Sequence, residues 1–170
     1  MAAITAFITS PSATASGPVP AAGAKFFQTG GVVAFCAVLV QLCLGAWYRH
    51  FDSNTALIAH VFWALVVFMI LSWLTMWTLE QYPRLPPLSF LGKSLAVLIA
   101  AQMVLGGAAF LIRVMGGNWP GWLATLAPTA HVAVGALMLG CTALLTVSGF
   151  LRLVPAAPKA ARQPARAVTI

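Results

Sequence analysis

Among the side chains of this 170-residue sequence, the histidines His50, His60 and His131 are the ones best suited to hold a metal, and two of them stand in matching surroundings. Ala59-His60-Val61 corresponds to Ala130-His131-Val132. Each follows a Gln-x-x-Leu-Gly stretch, Gln41-Leu-Cys-Leu-Gly45-Ala46 in one case and Gln102-Met-Val-Leu-Gly106-Gly107 in the other. A neutral imidazole is a common metal ligand, and two in equivalent settings suit a metal bound from opposite sides. The shared order of Gln, Gly and His points to a duplicated helical hairpin.

Other chemistries are poorly supplied. Asp52 and Glu80 are the only acidic residues, so paired-carboxylate catalysis within one chain is nearly excluded. Cys36, Cys43 and Cys141 form neither a zinc-type pair nor a Cys-x-x-Cys-His attachment motif, and they read as small buried hydrophobes. Met69, Met76, Met103 and Met138 read as packing residues.

The elements that carry the histidines follow from composition. The chain is 61% hydrophobic with nine Lys or Arg and two acidic residues. A water-soluble domain needs roughly a quarter charged residues to solvate its surface, so the solvent here is lipid. Apolar runs at about 29–48, 55–79, 90–112 and 128–151 can each cross the hydrocarbon, which takes about 20 helical residues. Turn-forming clusters at 50–55, 80–89 and 116–121 separate them. The expected fold is therefore all-α, a polytopic membrane four-helix bundle made of two duplicated hairpins. Residues 1–28 and the basic stretch 153–170 are expected as disordered tails around the domain at 29–152. The start of the chain lacks a basic segment of the signal-peptide kind, so the first helix is expected to direct insertion.

Orientation follows from the few charges. Lys25, Arg84, Lys93, Arg152, Lys159, Arg162 and Arg166 fall on one side, and Arg49 and Arg113 on the other. Cytoplasmic loops carry the excess of positive charge, so both termini are expected in the cytoplasm. The formal net charge of +7 flanks the apolar runs instead of forming a solvated patch, so lipid is the expected partner and nucleic acid is not. Trp47, Tyr48, Trp119 and Trp122 mark the outer boundary, and Trp77 and Tyr82 the inner one.

Depth then limits what the histidines can do. His60 and His131 lie about 6 to 8 Å below the outer boundary at about 1.5 Å per residue. Gly45 reaches the same level, and Gly106 with Gly107 lies slightly deeper. Two imidazoles facing each other across a bundle, with small residues on the other two helices, suit a flat apolar ligand with a metal at its centre, and heme fits that description. Arg49 and Arg113 could pair with its propionates, and His50 could do likewise or act as a further ligand near the surface. Simpler roles stand beside these. Each histidine could hydrogen-bond a neighbouring helix, and the glycines could serve close packing. The arginines could snorkel, and Gln41 and Gln102 could be interhelical hydrogen-bond donors.

The stretch Gln41-Leu-Cys-Leu-Gly-Ala-Trp-Tyr-Arg-His50, with Ala59-His60, Gln102-Met-Val-Leu-Gly-Gly107 and Ala130-His131, resembles the heme A synthase family over about residues 30–152. That family is built from two four-helix halves, each with a histidine pair on its second and fourth helices, and this chain is similar to one half. The resemblance implies a bacterial or archaeal plasma membrane, and a second copy or a respiratory-chain protein as partner. It implies His60 and His131 as axial ligands of heme B, or of heme O and heme A as substrate and product. It also implies an oxidoreductase that converts the heme O methyl group to the formyl of heme A during cytochrome oxidase biogenesis. The substrate-type half of the family carries a glutamate three residues before the histidine of its second helix, and this chain has Leu57 there. The chain is accordingly closer to the cofactor-binding half, whose role is that of a bis-histidine b-type electron-transfer or heme-holding subunit. A cofactor-free structural subunit is the third reading.

Overall fold

A computed structural model of the chain describes residues 17–156. The expectation of disorder for 1–16 and 157–170, with Lys159, Arg162 and Arg166, lies outside the described residues. In chain order the elements are β1 (Val19–Ala21), α1 (Ala24–Phe51), α2 (Asn54–Gln81), α3 (Pro86–Met115), α4 (Gly121–Arg152) and β2 (Leu153–Pro155). All four helices are long and apolar enough to cross a membrane. Each packs against its neighbours in chain order, and α4 closes on α1, so the bundle is a ring in which α2 and α4 stand diagonally opposite.

The helices outrun the apolar segments from which they were expected. At 28 to 32 residues each they are roughly 42 to 48 Å long, against about 30 Å of hydrocarbon, so their ends reach the headgroup level. α3 begins at Pro86, because a proline in the first turn has no amide hydrogen to leave unpaired. α4 begins at Gly121, well before the expected 128, and runs through Pro128. The backbone hydrogen bond that Pro128 cannot make is a cost that membrane helices tolerate.

The links are short because their caps are local. Asp52 ends α1 in the left-handed conformation (φ 44°), which short polar side chains tolerate, and its amide donates to the Tyr48 carbonyl at 2.9 Å. Ser53 then caps α2, its hydroxyl oxygen accepting from the Ala56 amide. The capping side chain is thus Ser53, while the Asp52 carboxylate pairs with Arg113.

The ends of the described chain are ordered where tails were expected. β1 and β2 pair in parallel, Val19 with Leu153 and Ala21 with Pro155. Gln28 on α1 supports this join, its Nε2 donating to the carbonyls of Gly149 (3.3 Å) and Leu153 (3.1 Å). Leu153 is buried beneath the pair.

The apolar core occupies one half of the bundle, the half that carries these chain ends. Phe27, Leu71, Leu74, Leu88, Leu95 and Leu145 are fully buried there. Thr78 and Thr142 satisfy their buried hydroxyls by donating to the carbonyls of Leu74 and Met138, one turn back on their own helices. In the other half few side chains are fully enclosed. No residue of α1 beyond Val38 or of α3 beyond Ile99 is buried, and only Ala56 on α2 before Val67 and Ala127 on α4 before Gly135. Cys36 and Cys43, expected as buried, are exposed on the outside of the bundle, whereas Cys141 is buried and its thiol donates to the Leu91 carbonyl. Met138 is in the core, but Met69, Met76 and Met103 face outward.

Among the glycines the tightest lies between α1 and α4, where a Cβ on Gly149 would come within 2.5 Å of the Phe27 ring. Phe27 is fully buried and has nowhere to move. Gly149→Ala is expected to destabilise the bundle by about 1–3 kcal/mol through overpacking. Gly140→Ala, with nothing within 4 Å of its Cβ, is expected to be neutral. Thermal unfolding of the two variants in detergent checks the difference.

Candidate functional site

The half of the bundle with few enclosed side chains holds the histidines. His60 on α2 and His131 on α4 meet across the diagonal with ring centroids 6.3 Å apart and planes at 81°. The duplication seen in sequence is present in space. Gln and Gly lie four residues apart on α1 (Gln41, Gly45) and on α3 (Gln102, Gly106), a spacing that stacks them on one helix face. In each hairpin that face addresses the histidine of the next helix.

The glycines are notches for the imidazole rings. A Cβ on Gly45 would lie 3.0 Å from Cε1 of His60, and one on Gly106 would lie 2.8 Å from Cε1 of His131. Gly107, expected beside them, is exposed with nothing within 4 Å of its Cβ position.

The glutamines are the hydrogen-bond donors expected of them, and their targets are the histidines. Gln41 Nε2 donates to the His60 carbonyl at 3.2 Å and lies 3.2 Å from both ring nitrogens of His60. Gln102 Nε2 lies 3.4 Å from Nε2 of His131. Which ring nitrogen carries the proton depends on the tautomer. One turn deeper, the Trp63 indole donates to the Ala37 carbonyl at 3.0 Å and ties α2 to α1 below the site.

Polar atoms remain without partners at this level. Gln41 Oε1, Gln102 Oε1 and His131 Nδ1 are buried and make no hydrogen bond. Leaving such a group unpaired costs about 1–3 kcal/mol. Three of them lie in one layer, beside the pair of glycine notches.

The remaining expected residues lie at the outer rim. Arg49 and His50 are exposed in the last turn of α1. Arg113, at the end of α3, donates from Nε to the Tyr48 hydroxyl (2.9 Å) and from a terminal nitrogen to Asp52 (2.8 Å), with both partners of the ion pair exposed. Sequence reasoning missed this clasp. It forms because the left-handed turn at Asp52 carries the carboxylate toward the end of α3.

Among the described residues no three His, Cys, Asp or Glu side chains gather as for a metal ion held by side chains alone. Heme sets a different requirement, because its macrocycle supplies the equatorial nitrogens and the protein only the axial ones. Such a group would be held by His60 and His131, whose rings stand 6.3 Å apart across the bundle with their nitrogens beside the Gln41 and Gln102 amides. No family model, curated protein or solved structure matches the chain.

The notches give a paired expectation. Gly106→Val should displace the His131 ring and weaken hemin binding roughly tenfold to hundredfold, the usual scale for disturbing a ligand's support. Gly107→Val, facing outward, should bind as the parent does. Titration of the heme absorption band in detergent measures both, and equal affinities would remove the role given to Gly106.

Proposed function

We propose that this chain is a membrane heme protein that holds one heme between His60 and His131 in the half of its bundle with few enclosed side chains. The observation that carries the reading is the pair of diagonal imidazoles 6.3 Å apart in a layer that the apolar core does not fill. When bound, the heme supplies one-electron chemistry. The protein's part is to present two neutral imidazoles, to make room for the rings at Gly45 and Gly106, and to surround the site with apolar helix.

Among heme proteins, the reading favoured is the electron-transferring or heme-holding one, of the kind found in the cofactor half of the heme A synthase family. Its support is the Gln41 to His50 stretch together with Leu57, which offers no carboxylate beside His60. The synthase reading, oxidation of the heme O methyl group, rests on the motif resemblance alone. Arg49 and His50 at the rim are the groups left to meet propionates, and Arg113 would have to exchange Asp52 for one.

Purified protein should carry heme with a low-spin spectrum, and that spectrum should be lost in His60→Ala and in His131→Ala. Extraction should yield heme B. Heme O or heme A in the extract, with conversion of heme O in cells that make it, would establish the synthase reading instead. Colourless protein that takes up no added hemin would overturn both.

The same reading sets the site near the outer face. Lys25, Arg84 and Lys93 are exposed at the end of the bundle away from the histidines, and Arg152 is buried there. Positive charge accumulates on the cytoplasmic side, so the chain ends should lie in the cytoplasm and the Gly116 to Pro120 link outside it. Alkaline phosphatase fused after residue 118 should be active, and fused after residue 156 inactive. The reverse pattern would invert the orientation.

A further inference from the structure

We propose that Gln41 and Gln102 are positioning residues that set the tautomer and ring angle of His60 and His131, each accepting a hydrogen bond from imidazole Nδ1–H through its side-chain oxygen once Nε2 binds iron. The inference rests on the heme reading above and names what the duplicated glutamines do within it.

Four observations lead there. Each glutamine sits one turn before the glycine that makes room for the ring, so both features of one helix face address one imidazole. Gln41 Nε2 lies 3.2 Å from both ring nitrogens of His60, and Gln102 Nε2 lies 3.4 Å from Nε2 of His131, the nitrogen it must yield when iron takes it. Each amide oxygen is buried without a partner, and so is Nδ1 of His131, a potential donor in the same layer as two unused acceptors. Finally, a Cβ on Gly135 would lie 3.2 Å from the Gln102 amide nitrogen, so the small residue on α4 leaves that amide its space.

A metal-bound imidazole uses the lone pair of one ring nitrogen, and the other then carries a proton that must be donated. Lipid supplies no acceptor, and the two glutamine oxygens are buried acceptors at this level without a partner. The terminal torsion of a glutamine is soft, so its carboxamide can turn to present oxygen in place of nitrogen. An acceptor on Nδ1–H makes the imidazole a stronger donor to iron and favours the ferric state.

The test uses the full chain reconstituted with hemin, and reads the midpoint potential by spectroelectrochemistry together with the low-spin spectrum. Gln41→Leu and Gln102→Leu should raise the potential, and Gln41→Glu and Gln102→Glu should lower it, with two axial imidazoles retained throughout. Should a leucine variant fail to fold, Gln→Asn at the same position withdraws the acceptor while keeping an amide, and should likewise raise the potential. Unmoved potentials with an intact low-spin spectrum would overturn the proposal and leave the heme reading standing. A change in hemin affinity with no change in potential would assign the glutamines to packing, and also overturn it. A parent protein without two axial imidazoles would instead fail at the heme reading, and the proposal would fall with it.

Discussion

Two imidazoles placed at one depth between apolar helices must find their hydrogen-bond partners inside the protein, because hydrocarbon offers none. That constraint accounts for much of the sequence around the site. It places a glutamine on the face of α1 that meets His60 and another on the face of α3 that meets His131. It places a glycine one turn further on, since ring and amide cannot share the interface with a Cβ. It also divides the bundle into two regimes. One half is closed by Phe27, Leu71, Leu88 and Leu145 and held at its end by the Val19–Ala21 and Leu153–Pro155 ladder. The other, with few enclosed side chains, carries the histidine layer.

The division fits a scaffold that fixes a site without filling it. The packed half joins the helices through its apolar core, and the Trp63 to Ala37 hydrogen bond and the Arg113 clasp on Asp52 and Tyr48 bracket the histidine layer from below and above. An exposed ion pair such as that clasp contributes little stability in water, and its value is geometric: it joins the α1–α2 link to the end of α3.

Much of this could be read in the sequence, and the failures have physical causes. The four spans, the hairpin duplication and the level of His60 and His131 follow from apolar runs and the repeated order of Gln, Gly and His. Gly45 and Gly106 were recoverable because they repeat at matching distances from Gln41 and Gln102. Gly107 was not separable from Gly106, since one residue turns a helix by about 100° and hydropathy carries no trace of that turn in a helix apolar all round. The same uniformity hid the outward position of Cys36, Cys43 and Met103, because lipid and protein interior ask for similar side chains. The terminal ladder joins residues far apart in sequence, and the Arg113 clasp depends on a left-handed turn at Asp52, so neither leaves a local pattern.

The central claim is that one iron is held along an axis running from His60 to His131, at the level where the core stops. X-ray absorption at the iron edge of the hemin-loaded chain tests it most directly, because axial imidazoles give a characteristic scattering pattern. The account predicts two axial imidazoles in the parent and one in either His60→Ala or His131→Ala. A single axial imidazole in the parent, or two that persist in either variant, would contradict it.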